Sequence, residues 1–456
     1  MKNRQFGIIF IGIILLFYIL IIPSYGRDEV EIATGDVYPP EMSIKAFTLK
    51  NDAKINIHGA MGLYYYYYNE REIVFYGWII NADTRKTVWH MMTQKRDFEK
   101  GLNRFDQTIS LSRGNYELYY TAQDNNTGRL TERPGLLSRI INSVFGAKSR
   151  DSLLEGLDID PLRLTVSGSS QDMEEIDPNE LLEQVTKKAV ISINRTLNNT
   201  RIKRFFRLTA ETPLRIYFIG EGDRRNTYDL AWIQDFRNFR SPFFINPRRT
   251  KKAGGAKKNI TVDTKITFPA GDYVVNYVSD NSHSYEAWNT LPPDDPRFWG
   301  ITLWPVSTEG LKNVVLLKDN KLPDPVLAIT KVRNNKRLER TIILGKPMDI
   351  KVLCIGEGDP GKRIMYDHGW IIKTGAKENV WEMNGRNTNY AGGAGKNRLL
   401  CEILHLGKGI YTAGYVTDDS HAFASWNSLP PYNPEYWGIT LWVIDEKDRK
   451  FVEVKK

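Results

Sequence analysis

Cysteine is nearly absent from this chain, with only Cys354 and Cys401 in 456 residues. So small a number excludes the paired-thiol spacing of a zinc site. No cysteine lies near the end of the first hydrophobic segment, which excludes a lipid-anchored cysteine start. The nucleophile elbow and the zinc-protease helix are missing as well. Two glycine-rich stretches, Ala253–Lys257 and Ala391–Lys396, lead into strand-like residues. A phosphate cradle needs a helix N-terminus there, so they read as hairpin tips. These absences argue against an enzyme, and no cofactor is expected.

Length and aromatic content set the frame for what is present. A chain of 456 residues is too long for one ordinary core and suggests about three domains. The 23 Tyr, 19 Phe and 11 Trp favour strands, where flat side chains pack well on a pleated surface. Lys2 and Arg4 precede an uncharged run from Phe6 to Ile22, followed by Ser24 and Gly26. This is a signal peptide or a membrane anchor over residues 1–26, and both place the remainder outside the cytoplasm. If uncleaved, residues 6–22 contact the membrane. An oxidising compartment admits a Cys354–Cys401 disulfide, and two buried thiols are the other reading. The net charge of +9 reads as solvated basic loops, and export speaks against a nucleic-acid partner.

The strongest signal is internal repetition. Residues 271–304, GDYVVNYVSDNSHSYEAWNTLPPDDPRFWGITLW, recur as residues 409–442, GIYTAGYVTDDSHAFASWNSLPPYNPEYWGITLW, at an offset of 138. The same offset pairs Tyr228-Asp229 and Trp232 with Tyr366-Asp367 and Trp370, while IGEGD recurs at Ile219–Asp223 and Ile355–Asp359. A diverged copy precedes them: Trp78 and Trp89 keep the spacing of Trp370 and Trp381, and Gly114, Tyr116 and Tyr120 match Gly271, Tyr273 and Tyr277. That copy lacks GEGD, the Asp before the Trp, the Ser-His pair and the WGITLW strand.

Within each copy the periodicity is two, with turn residues at short spacing, the pattern of a sandwich. The expected fold is therefore mainly β: three tandem β-sandwich domains, jelly-roll or Ig-like, over 27–170, 171–308 and 309–456. Two helices are expected. Asp177 caps one that starts at Pro178 and runs to about Lys188. Leu136–Phe145 forms the other, inside the first copy. The run Tyr64–Tyr68 reads as a strand aromatic on both faces, either held between layers or exposed as a sugar- or partner-binding stripe.

Candidate binding residues cluster after the Gly-x-Tyr strand. Asp280 and His283, and their counterparts Asp418 and His421, are joined across the fold by Asp229 and Asp367. Glu221, Asp223, Glu357 and Asp359 stand near enough in the pattern to contribute. This set offers oxygen atoms to a divalent cation, or imidazole to a transition metal. It also suits turn closure, since Asp and Ser bond nearby amides. Trp288 and Trp426, on loops stiffened by Pro-Pro, either stack on a sugar or anchor the loop. A metal-dependent hydrolase requires Asp229, Asp280 and His283 to meet in a cleft.

From Gly271-Asp272-Tyr273 to Asp280-Asn281-Ser282-His283-Ser284 the chain resembles the closing strands of GOLD-type β-sandwiches, and its layout is similar to pre-peptidase C-terminal sandwiches. The resemblance covers about 35 residues per copy. It implies a non-catalytic adhesion, cargo or binding module. The expectation is thus an extracytoplasmic binding protein of the cell envelope, for a polysaccharide or another envelope protein. A structural spacer in a surface assembly is the rival.

Overall fold

The computed structural model describes residues 29–37, 40–66, 71–95, 102–124, 162–318 and 322–455. The hydrophobic segment 6–22 and the helix expected at 136–145 lie outside these residues, as do the side chains of Tyr64–Tyr68. Among the described residues no helix is long and apolar enough to cross a membrane.

The chain is mainly β, in several antiparallel sheets. One strand order is used in all three repeats. In the second, Ile191–Ile193, Gly300–Pro305, Thr212–Glu221, Asn259–Phe268 and Lys251–Lys252 form one sheet in that order. Phe243–Phe244, Leu230–Asp235, Gly271–Val278, Arg201–Leu208 and Val314–Leu317 form the other. The third repeat follows the same orders, from Leu327–Thr330 to Asn389–Tyr390 and from Asn379–Glu382 to Val452–Lys455. In the first repeat the two orders merge into one nine-stranded sheet. The long strand Ala53–Tyr66 causes this: it pairs with Leu102–Leu111 and Leu164–Ser169, then crosses to pair with Arg71–Asn81. Leu164–Ser169 stands where the other repeats place the WGITLW strand, so the first copy has lost that text but not that strand. Met173–Ile176 pairs back onto Met42–Leu49 of the first repeat, and Val314–Leu317 completes a sheet of the second.

The alternating pattern explains the cores. Leu214, Ile216 and Phe218 are fully buried and pack with Phe206, Val275, Ile301 and Leu303 from both sheets of the second repeat. Each such side chain contributes about 1.5–3 kcal/mol by leaving water. Their neighbours Tyr217 and Ile219, on the opposite face, are buried too, in a second cluster with Ala46, Ala82, Leu181, Leu182 and Val185. Tyr116, Tyr273 and Tyr411 each donate a hydroxyl hydrogen bond to the carbonyl four residues back, at 2.5, 2.7 and 2.8 Å. One corner is therefore built three times, the first copy included.

The helix Pro178–Lys187 forms as its sequence predicts. Asp177 Oδ1 accepts from the amides of Asn179 and Glu180 at 2.8 and 3.0 Å, and proline sits in the first turn. Its buried face, Leu181, Leu182 and Val185, fills the space between the first and second repeats. Cys354 and Cys401 are both free thiols. Cys401 lies opposite Leu353, one residue from Cys354, so the two side chains leave the sheet on opposite faces. Burial pushes both thiols up, Cys401 to about 11.

Candidate functional site: the acidic ties and the Leu-Pro-Pro loops

Three carboxylates meet in each of the later repeats. In the second, Asp229 is fully buried; its Oδ2 accepts from the Glu221 amide at 2.9 Å and its Oδ1 from the Asp280 amide at 3.4 Å. Gly220 makes room for it, since a Cβ there would lie 2.8 Å from Asp229 Cβ. Burial, reinforced by the charges of Asp280 and Glu221, holds the Asp229 carboxyl well above its usual value. Glu221 is paired with Lys258 at 3.0 Å, and its Oε2 accepts from Ser282 Oγ at 3.2 Å.

The third repeat carries the same set with two differences. Glu357 pairs with Lys396 at 2.8 Å through Oε1, while its buried Oε2 has no hydrogen-bond partner. Asp367 accepts from the Asp418 amide at 2.9 Å and from Trp437 Nε1 at 3.2 Å. Burial, with the charges of Asp418 and Glu357, pushes Asp367 up to about 8. One carboxylate oxygen each from Glu357, Asp367 and Asp418 lie within 4.8 Å of one another.

His283 and His421 do not join these carboxylates. Each is buried, at a left-handed backbone position (φ 50° and 49°), and clamped between two asparagines. His283 Nε2 lies 2.6 Å from Asn259 Oδ1, and Nδ1 lies 2.8 Å from the side chain of Asn289. His421 repeats the arrangement with Asn397 and Asn427 at 2.7 and 2.9 Å. The Asn259 amide donates to the carbonyls of Gly254 and Leu291, which turns its oxygen toward the ring and makes Nε2 the protonated nitrogen. Burial and the nearby Lys258 ammonium push His283 down to about 3, and burial with the Lys396 ammonium lowers His421. The rings tie the two asparagines of each repeat together. Ser282 bonds Glu221 rather than His283, so no Ser-His pair forms. Trp288 and Trp426 are half-buried; each meets its histidine edge-on at 5.1 and 5.2 Å, and Trp299 or Trp437 at 5.0 and 4.9 Å. They anchor the loops from inside.

The Leu-Pro-Pro loops that follow are used between repeats. Asp294 and Asp295, just after Pro292-Pro293, reach the first repeat. Trp78 Nε1 donates to the Asp294 carbonyl at 2.6 Å, and Thr87 to its carboxylate at 2.8 Å. The Arg85 side chain is fully buried between Asp295 (2.9 and 2.5 Å) and Glu117 (3.0 Å), with its guanidinium 4.1 Å over the Phe298 ring. Burial would raise Glu117, but the Arg85 charge holds it below the usual carboxylate value. For Asp295 burial wins over Arg85, and its carboxyl is raised.

Tyr432 and Asn433, 138 residues on, do the same to the second repeat. Tyr432 stacks on Trp232 at 4.1 Å, and Gln234 donates to Asn433 Oδ1 at 2.6 Å. Phe239, which holds the position of Arg85 and shares its left-handed φ (57° against 60°), packs on Tyr436 and Trp442 at 5.5 and 6.2 Å. The glycine tips brace these loops. A Cβ on Gly255 would lie 1.8 Å from the Pro292 carbonyl, and one on Gly393 1.9 Å from that of Pro430. Those tips are packed rather than free, which is why they must be glycine.

Sequence reasoning picked out the carboxylates, histidines and tryptophans but missed their partners. Lys258-Asn259 and Lys396-Asn397 stand at the same offset of 138 and carried the signal. Arg85 and Phe239 carried none, because their equivalence lies in the backbone. No protein-family model matches the chain, and no curated protein matches it.

Proposed function

We propose that the chain is a non-catalytic spacer: three tandem β-sandwich units, held outside the cytoplasm, that present partner-binding surfaces at a fixed separation within an envelope or surface assembly. The observation that carries this reading is the use of the Leu-Pro-Pro loop. In both later repeats the residues just after it contact the preceding unit, Asp294 and Asp295 at the first junction and Tyr432 and Asn433 at the second, and the His-Asn clamps brace the loop. One strand order used three times, with a core shared between two sheets, supports the sandwich reading. The charged start and apolar run at residues 1–26 support the location. A polysaccharide site on Trp288 or Trp426 is less well supported, since each packs inward on its own histidine.

Rigidity is the property to test. Spin labels at the exposed positions of the first and third repeats, through Ser110→Cys and Lys408→Cys, should give one narrow distance distribution. Arg85→Ala or Phe239→Ala should broaden it. A broad distribution in the otherwise unaltered chain would rule the spacer out and return the loops to a binding role.

A further inference from the structure

The acidic triads of the second and third repeats hold the same residues at the same positions but differ in one oxygen. In the second, Ser282 Oγ donates to Glu221 Oε2, so each oxygen of that glutamate has a partner, Lys258 or Ser282. In the third, Glu357 is only 5% exposed and its Oε2 has none. A buried carboxylate oxygen without a donor is costly to leave unmet, so this atom has room for a ligand. Two further carboxylates supply oxygens within 4.8 Å of one on Glu357. Asp418 is half-buried and the adjacent Asp419 exposed, which leaves a way in from solvent.

Charge defines what fits. Glu357, Asp367 and Asp418 carry three negative charges when ionised, and Lys396 returns one positive charge at 2.8 Å from Glu357. The carboxylates outnumber the one ammonium, so the site favours a cation. All the donor atoms are oxygens, and no thiol or imidazole points in: His421 is held by Asn397 and Asn427. That donor set selects a hard ion.

The geometry points to a divalent-cation site of the calcium class in the third repeat alone, formed by Glu357, Asp367 and Asp418 and completed by water. It does not depend on the spacer reading, since the triad lies inside one repeat. The second repeat is the built-in control, because Ser282 already satisfies the corresponding oxygen.

Calorimetric titration of the purified full chain with calcium chloride, and luminescence titration with terbium chloride, test this directly. Trp437 donates to Asp367, so a terbium ion on the triad is excited through that indole. One ion per chain is expected, with terbium emission under tryptophan excitation that excess calcium removes. Glu221→Gln should retain the site, whereas Glu357→Gln should lose it at least tenfold in affinity. Asp418→Asn, at a half-exposed position that leaves the buried pair with Lys396 intact, should weaken binding similarly and covers a failure of Glu357→Gln to fold. No binding at millimolar calcium, two ions per chain, or one ion that survives both third-repeat substitutions would each overturn the proposal. None of these results bears on the rigidity measurement, so the two ideas fail separately.

Discussion

The two junctions between repeats use the same positions and different chemistry, while the ties inside the repeats are copied residue for residue. At the first junction Arg85 is buried between Glu117 and Asp295. At the second the equivalent Phe239 lies among Tyr436 and Trp442, beside the Trp232–Tyr432 stack. A tie must fit its own repeat and changes only if its partners change with it. A junction must fit one neighbour, so it drifts as a matched pair: Arg85 with Asp295, or Phe239 with Tyr436. The loop backbone is the constant, and it is set by the His-Asn clamp and the glycine tips.

The largest effect should come from breaking the ionic junction. Arg85→Ala leaves Glu117 and Asp295 buried without their hydrogen-bonded counter-ion, with only the Arg297 charge nearby, and loss of one partner of such a group costs about 3–5 kcal/mol. Denaturant unfolding should register a drop near 4 kcal/mol, little changed by salt because the site is dry. A drop under about 1 kcal/mol would mean that the guanidinium is not held as described. Phe239→Ala should cost about 3 kcal/mol through cavity formation alone. No charge is stranded there, so the ordering of the two substitutions reports on the chemistry of each junction. If Phe239→Ala proved the more damaging, the contrast between the junctions would be lost.

Acid should act on the ties in both repeats alike. His283 has a folded pKa of about 3 against an ordinary value of 6.5. The unfolded chain therefore binds the extra proton between those values, and stability falls as pH is lowered through that window. The loss from His283 should be about 2 kcal/mol between pH 7 and pH 5. Asp229, raised by burial, works in the opposite sense and loses its contribution as pH rises. Comparing the chain with His283→Gln isolates the histidine: the variant should be less stable at pH 7 and show a flatter dependence from pH 7 to 5. An unchanged slope would place the histidine charge elsewhere.

How much of this the sequence disclosed follows from the kind of constraint. Strands, the helix cap at Asp177 and the three-fold repetition were legible because each is written in local spacing: alternation along Leu214–Phe218, Asp-Pro before an apolar face, a fixed offset of 138. The candidate residues were legible as a group, because Asp229, Asp280 and His283 recur together with Asp367, Asp418 and His421. Their assignment was not. Whether a histidine meets an aspartate or two asparagines depends on strands distant in sequence, and Asn259 reaches His283 only through the pairing of Asn259–Phe268 with Thr212–Glu221. The junctions were hidden for a further reason. Arg85 and Phe239 share no side-chain property, only a left-handed turn that no residue-type pattern reveals.

The smallest effect is the most specific to the second junction. Trp232 and Tyr432 lie with their planes 8° apart at 4.1 Å, a stacked pair worth about 0.5–1.5 kcal/mol beyond the area it buries. A double-mutant cycle with Trp232→Leu and Tyr432→Leu should give a coupling of about 1 kcal/mol. The matched cycle at the first junction pairs Trp78→Leu with Asp294→Leu. Its coupling should be near zero, because Trp78 bonds the backbone carbonyl of Asp294, which the substitution leaves in place. Coupling at both junctions would show that the side chain at this loop position does the same work in each, and the drift from ionic to aromatic would then be a change of dress over one mechanism. Coupling at the second alone would mean that the first junction is held by Arg85, the loop backbone and the bond from Thr87 to the Asp294 carboxylate, with no side-chain contact between Trp78 and residue 294.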